Sequence, residues 1–137
     1  MEELLIDTGF LFATFDERDP HHASCSAAYE KEFYPLLPDV VLPELAYLIL
    51  RELNVRDLTA FLRSVARGDF IIERTTNEDL ERAAEILEKY DDNNIDLVDA
   101  VIFAMAERLK IKRILTVDRR HFGVFRPKHC AAFELLP

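Results

Sequence analysis

Asp7 follows the apolar run Leu4-Leu5-Ile6, and Asp118 follows Arg113-Ile114-Leu115-Thr116. Glu44 falls in the first turn of a segment with helical spacing. Asp96 and Asp99 stand three residues apart at the start of another such segment, so they share a helix face. Carboxylates held close together repel one another and raise their own pKa values. A divalent cation relieves that repulsion. Mg²⁺ takes oxygen ligands and keeps several waters, so a few carboxylates suffice to hold it. Against a phosphodiester, such an ion activates a water and offsets charge on the leaving oxygen. Each acid also has a plainer reading. Asp7, Asp96, Asp99 and Asp118 fit as caps or turn residues, and Glu44 as a partner of the helix dipole. Asp99 resists the plain reading most, because Ala100-Val101-Ile102 follow it and a bare charge in an apolar stretch is costly.

These acids work together only if the elements between them return to one place. Leu4-Leu5-Ile6 reads as a buried strand, and Thr8 to Phe15 as a helix with Thr8 near its cap. Asp19-Pro20 opens a second helix, running to about Tyr34. Pro35 to Pro38 is a break, and Val40-Val41-Leu42 a second strand. Pro43-Glu44 begins a helix carrying Leu45, Leu48, Ile49 and Leu53, followed by another from about Val55 to Arg67. Gly68 ends it, and Phe70-Ile71-Ile72 reads as a third strand. Thr76 and Asp79 form a capping box for a helix reaching Tyr90, and Asp91 to Asn94 is a polar turn. A helix from Asp96 to Leu109 leads to the fourth strand, Arg113 to Thr116, and Ala131 to Leu135 is a candidate fifth. Short aliphatic strands alternating with helices imply a parallel sheet covered on both faces. Ligands of such sheets collect outside the carboxyl ends of the strands, where strand order reverses.

The 137 residues fit one domain spanning 1–137, and half of them are hydrophobic, which excludes disorder and low complexity. No apolar run approaches a membrane span. The opening, MEELLIDTGF, carries acids where a signal peptide carries bases, so the expected location is the cytoplasm. Cys25 and Cys130 form no CxxC pair and read as free thiols. The net charge of −9 argues against a nucleic-acid binder that works by general basicity. The charge is uneven, however. Arg108, Lys110, Lys112, Arg113, Arg119, Arg120, Arg126 and Lys128 share their stretch with a single acid, Asp118, an asymmetry that allows local polyanion contact. His21, His22 and His129 show no metal spacing and read as structural, and His121 reads as a surface histidine beside arginines.

Four segments in order resemble the PIN domain, and within it the VapC-type toxins of bacterial and archaeal toxin–antitoxin pairs. They are Leu5-Ile6-Asp7-Thr8-Gly9 through Ala13, Pro43-Glu44-Leu45-Ala46-Tyr47, Asp96-Leu97-Val98-Asp99-Ala100 running into Leu109, and Ile114-Leu115-Thr116-Val117-Asp118 through Phe122. Asp19-Pro20-His21-His22 is similar to the segment that begins that family's second helix. The resemblance implies a three-layer α/β/α sandwich around a mostly parallel sheet of four to five strands. It implies Mg²⁺ or Mn²⁺ and endonucleolytic cleavage of RNA by metal-activated water, leaving a 5′-phosphate and a 3′-hydroxyl. It makes Asp7, Glu44, Asp99 and Asp118 the catalytic, metal-holding acids, with Asp96 an extra acid reaching metal through water. It also implies a cognate antitoxin and a homodimer.

Around that set, Thr8 and Thr116 fit as hydroxyls that orient carboxylates or water, though capping and strand propensity explain them nearly as well. Arg119, Arg120 and Arg126 fit as holders of flanking phosphates, or as a solvated basic face. Tyr29, Phe33, Tyr34, Tyr47 and Phe61 fit a protein interface, or ordinary packing under the sheet. Three other readings compete. A phosphatase with an Asp7 nucleophile wants a second Asp where Gly9 stands. A receiver module wants an acid pair after strand one, and Asp7 is alone. A housekeeping RNA-processing nuclease without an antitoxin, or a non-catalytic module of the same fold, keeps the architecture and changes the role.

Overall fold

In the computed structural model, residues 3–32 and 35–137 are described. Five strands form one sheet: β1 (Leu4–Ile6), β2 (Leu36–Pro38), β3 (Ile71–Glu73), β4 (Arg113–Leu115) and β5 (Glu134–Leu136). Their order is β3-β2-β1-β4-β5, and every neighbouring pair is parallel. All carboxyl ends therefore share one edge. The chain steps outward from β1 to β2 to β3, then returns across β1 to β4 and β5. Right-handed crossovers place helices on one face for the outward steps and on the other for the return. Thus α1 (Thr8–Phe15), α2 (His22–Glu30), α3 (Val41–Glu52) and α4 (Val55–Ala66) cover one side. The other is covered by α5 (Asn77–Lys89), a short 3₁₀ turn at Asp91–Asn93, α6 (Leu97–Leu109) and α7 (Arg119–Val124). This is the expected α/β/α sandwich. Strand order reverses between β1 and β4, where Ile6 pairs with Leu115 and the Asp7 amide donates to the Leu115 carbonyl at 2.9 Å.

Several elements differ from expectation. The second strand is Leu36–Pro38, and Val40-Val41-Leu42 leads into α3. Val41, Leu45 and Ile49 are all fully buried at four-residue spacing, so the helix begins two residues earlier than Pro43 suggests. Pro43 is the third helical residue, where a missing N–H leaves no bond unmade. Pro38 ends its strand, a position where proline is tolerated. Asp19-Pro20 forms a turn rather than a helix start: the Asp19 carboxylate accepts from the His21 amide at 2.8 Å, and α2 begins at His22 and ends at Glu30. The expected end at Tyr34, and the aromatics Phe33 and Tyr34, lie outside the described residues. The third strand runs Ile71–Glu73 and the fifth Glu134–Leu136, shifted by one residue or more. The helix α7 is an addition to the expected elements, because Asp118 reads equally as a turn.

Two packing features fix the active edge. Helix α6 is buried continuously from Asp99 to Ala106, so it runs through the core rather than over it. Phe122 and Phe125 anchor α7 against it: the Phe125 ring stacks on Phe103 at 4.3 Å, and Phe122 meets Phe103 edge-on at 4.8 Å. Aromatic pairs at such distances add to their burial. Elsewhere Phe61 is buried between Phe15 and Phe70, Tyr29 leans on Phe70, and Tyr47 is exposed. Cys25 and Cys130 are free thiols. Among the described residues, no helix is long and apolar enough to cross a membrane.

Candidate metal centre

The β1–β4 switch point gathers the acids. Asp7 is the N-cap of α1, its Oδ1 accepting from the Thr8 amide at 2.8 Å. Its Oδ2 accepts from the Thr116 hydroxyl, also at 2.8 Å. The same Thr116 oxygen accepts from the Asp118 amide at 3.0 Å. One buried threonine therefore fixes Asp7 and the start of α7 together. Asp118 caps α7, with Oδ1 accepting from the His121 amide at 2.9 Å and Oδ2 lying 2.8 Å from the His121 ring Nδ1. Asp99 is held from behind: its amide donates to Asp96 Oδ1 at 2.9 Å, while its own Oδ2 lies 3.4 Å from His121 Nδ1. Asp7, Asp96 and Asp118 are thus caps as the plain reading had it, and their placement brings charge to one point as well.

The electrostatics of this point are unbalanced. Burial pushes the Asp7 carboxyl up to about 6, with the Glu44 and Asp118 charges adding and the Thr116 and Thr8 hydrogen bonds opposing. Burial pushes Asp99 further, to about 8, with the charges of Asp96, Asp7 and Asp118 adding to it. Among the described residues, Asp99 and Asp118 make their ion pairs with His121, which is charged only when protonated. The Thr8 hydroxyl is buried beside Asp7 and has no hydrogen-bond partner among the described residues. Ligand atoms of Asp99, Asp118 and His121 all lie within 4.8 Å of one another. Mutually repelling carboxylates, mostly oxygen donors, and an orphaned buried hydroxyl fit a divalent cation.

The expected residues divide as follows. Asp99 and Asp118 stand in the tight group. Asp7 reaches it through its charge, with both oxygens engaged by Thr8 and Thr116, and the charge of Glu44 acts on Asp7. Asp96 is exposed and supports the backbone of Asp99. Arg119 is exposed and donates to the Pro137 carbonyl, and Arg126 donates to the Gly123 carbonyl at 2.6 Å. Arg120 is exposed. The basic run is not one face: Arg108 pairs with Asp79 and Glu73, and Arg113 with Glu32 and Glu134. His121 corrects the surface reading, because it is half-buried between two acids. Its three-residue spacing from Asp118 is the available signal, legible only once α7 is known to be a helix.

A family model for the PIN domain matches residues 4–125. Ribonuclease VapC26 of Mycobacterium tuberculosis is 35% identical over 135 residues, spanning 98% of this chain and 100% of that protein. Among solved structures, Mycobacterium tuberculosis VapC20, described as a Sarcin-Ricin loop cleaving toxin, superposes with a TM-score of 0.84 at 21% identity, covering 98% of this chain and 99% of that one. DNA-bound VapBC from Salmonella typhimurium superposes at 0.72 with 14% identity, covering 98% and 97% respectively. These last two likenesses speak to the fold.

Proposed function

The chain belongs to the PIN-domain family, and from that premise we propose that it is a divalent-metal-dependent endoribonuclease, the toxin of a VapBC-type pair. The observation that carries the reading is the convergence of Asp7, Asp99 and Asp118 at the sheet's switch point, with burial and mutual repulsion raising Asp7 and Asp99 together. The 35% identity to a named ribonuclease over nearly the full length of both chains supports the substrate class.

Asp99 and Asp118 would hold Mg²⁺ or Mn²⁺, with Asp7 and Glu44 completing the pocket and Asp96 holding the Asp99 backbone. The cation supplies Lewis-acid activation of water and neutralises charge on the leaving oxygen. The protein's own part is preorganisation. Thr116 fixes Asp7 against the start of α7, and the Thr8 amide fixes its other oxygen. Preset carboxylates need no reordering when substrate arrives. Arg120, exposed near this edge, would contact a flanking phosphate of the RNA, with Arg119 and Arg126 behind it. An antitoxin would restrain the activity in the cytoplasm, and a second copy would complete a homodimer, as the family likeness implies.

The test uses purified chain and defined RNA. Cleavage should require added Mg²⁺ or Mn²⁺, vanish with chelator, and be lost in a folded Asp99→Asn variant. Full activity of that variant, free of contaminating nuclease, would overturn the assignment.

A further inference from the structure

We propose that His121 is a third protein ligand of this cation site, binding through Nδ1 beside Asp99 and Asp118, and that it makes the site favour Mn²⁺ over Mg²⁺. The inference rests on the metal-dependent reading above and adds a nitrogen donor to it.

The geometry has three parts. His121 Nδ1 lies 2.8 Å from Asp118 Oδ2 and 3.4 Å from Asp99 Oδ2. Adjacent ligands of an octahedral ion with bonds of about 2.1 Å sit about 3 Å apart, so these two separations bracket that value. The two oxygens come from different elements, α6 and the start of α7, so the ring meets an acid of each. Lastly, the ring is not needed to orient Asp118. The His121 backbone amide already holds Asp118 Oδ1 at 2.9 Å, and the Thr116 hydroxyl already accepts from the Asp118 amide. The ring faces both carboxylates, at the point where a shared ion would sit. Its own place is rigid, because Phe122, the next residue, is buried against Phe103.

The chemistry then sets the preference. Carboxylate and water suit Mg²⁺ and Mn²⁺ alike, whereas a nitrogen donor adds affinity for first-row transition ions, Mn²⁺ the weakest of them, and little for Mg²⁺. An all-carboxylate site would discriminate less between Mg²⁺ and Mn²⁺.

The experiment loads the purified chain with Mn²⁺ and records pulsed electron paramagnetic resonance, with calorimetric titrations of Mn²⁺ and Mg²⁺ alongside. Wild type should show nitrogen coupling to bound Mn²⁺, absent in His121→Ala. That variant should bind Mn²⁺ about tenfold or more weakly, and Mg²⁺ within about threefold of wild type. Bound Mn²⁺ without nitrogen coupling in wild type overturns the proposal while leaving the metal-dependent nuclease intact. Equal weakening of both ions in His121→Ala also overturns it, by making the histidine a mere support. If wild type binds neither ion, the metal reading fails and this proposal with it. Should His121→Ala not fold, the wild-type coupling alone decides.

Discussion

Asp99 and Asp79 are the same residue type, each in the first turn of a helix and each buried, yet their surroundings are opposite. Asp79 accepts two hydrogen bonds from the Arg108 guanidinium, at 2.9 and 3.0 Å, and one from the Thr76 amide at 3.0 Å. Burial works against its charge, but Arg108 and Thr76 prevail and hold its carboxyl below the usual range. Asp99 has Asp96, Asp7 and Asp118 as its charged company and rises to about 8. Nearby, Arg82 grips Glu107 through two nitrogens, at 2.7 and 3.2 Å. The part of α5 and α6 around Asp79 and Glu107 is thus complete as it stands, both of these acids matched by an arginine. The carboxyl edge of the sheet is incomplete, and what it lacks is positive charge. A fold can place a carboxylate in its interior without an arginine, and among the described residues Asp7 and Asp99 stand so at the edge where the proposed cation would sit.

The largest test of that contrast exchanges charge for amide at each site. Asp99→Asn should cost about three orders of magnitude or more in RNA cleavage, since the site loses a ligand that nothing replaces. Its metal-free stability should not fall at pH 8, because the change removes a repelled charge. The pH dependence has a definite sign. A carboxyl whose folded pKa is raised contributes stability below about pH 4 and loses it as pH climbs through the folded value, about 8 for Asp99 and about 6 for Asp7. Metal-free wild type should therefore melt lower at pH 8 than at pH 5, Asp99→Asn should flatten that slope, and added Mn²⁺ should reverse it. Thermal melts with and without chelator measure all three.

Arg108→Leu makes the converse change. It leaves Asp79 buried without its partner, so folding stability should drop by about 3 kcal/mol in urea titration. Cleavage per folded molecule should stay at the wild-type level. Asp79 has a lowered pKa, so its contribution is present at neutral pH and fades on acidification below about pH 4, the opposite slope to Asp99. Loss of activity in the folded variant would mean the two regions are not independent.

Thr116→Val probes the join between β1, β4 and α7. It removes the hydroxyl that donates to Asp7 Oδ2 and accepts from the Asp118 amide. Activity should fall about 10- to 100-fold, in step with metal affinity, while the valine preserves volume and strand preference. Unchanged metal affinity in calorimetry would reduce Thr116 to a strand residue.

How much of this was legible in the residues follows from which forces are local. The acid set, the capping box at Thr76 and Asp79, the helix from Asp96 to Leu109 and the fourth strand all announce themselves over short spans, because capping and periodicity are short-range. The second strand did not. Leu36–Pro38 follows one proline and ends on another, and is a strand because both neighbours in the sheet supply partners, which only topology reveals. The aliphatic Val40-Val41-Leu42 misled because a buried helical turn and a buried strand look alike over three residues. The basic run misled differently. Its charges are close in sequence, but Arg108 and Arg113 are spent on acids far away in the chain. His121 was missed for the same reason as α7: its importance lies in Asp99, a residue on another helix.

What remains among the arginines of the basic run after that accounting is Arg120, and it gives the mildest effect. Arg119 and Arg126 donate to carbonyls of their own neighbourhood, whereas Arg120 is exposed at the second position of α7, one residue before the histidine that faces Asp99 and Asp118. A phosphate flanking the cleaved bond is the anion such a guanidinium would meet. With a net charge of −9 the chain repels RNA at long range, so one local contact should show as a salt effect rather than as catalysis. Arg120→Ala should raise KM about threefold, leave kcat unchanged, and lower the slope of log affinity against log salt by just under one. A fall in kcat with KM untouched would move Arg120 from the rim of the site to its chemistry, and would narrow the contrast between a cation-starved edge and an arginine-matched core.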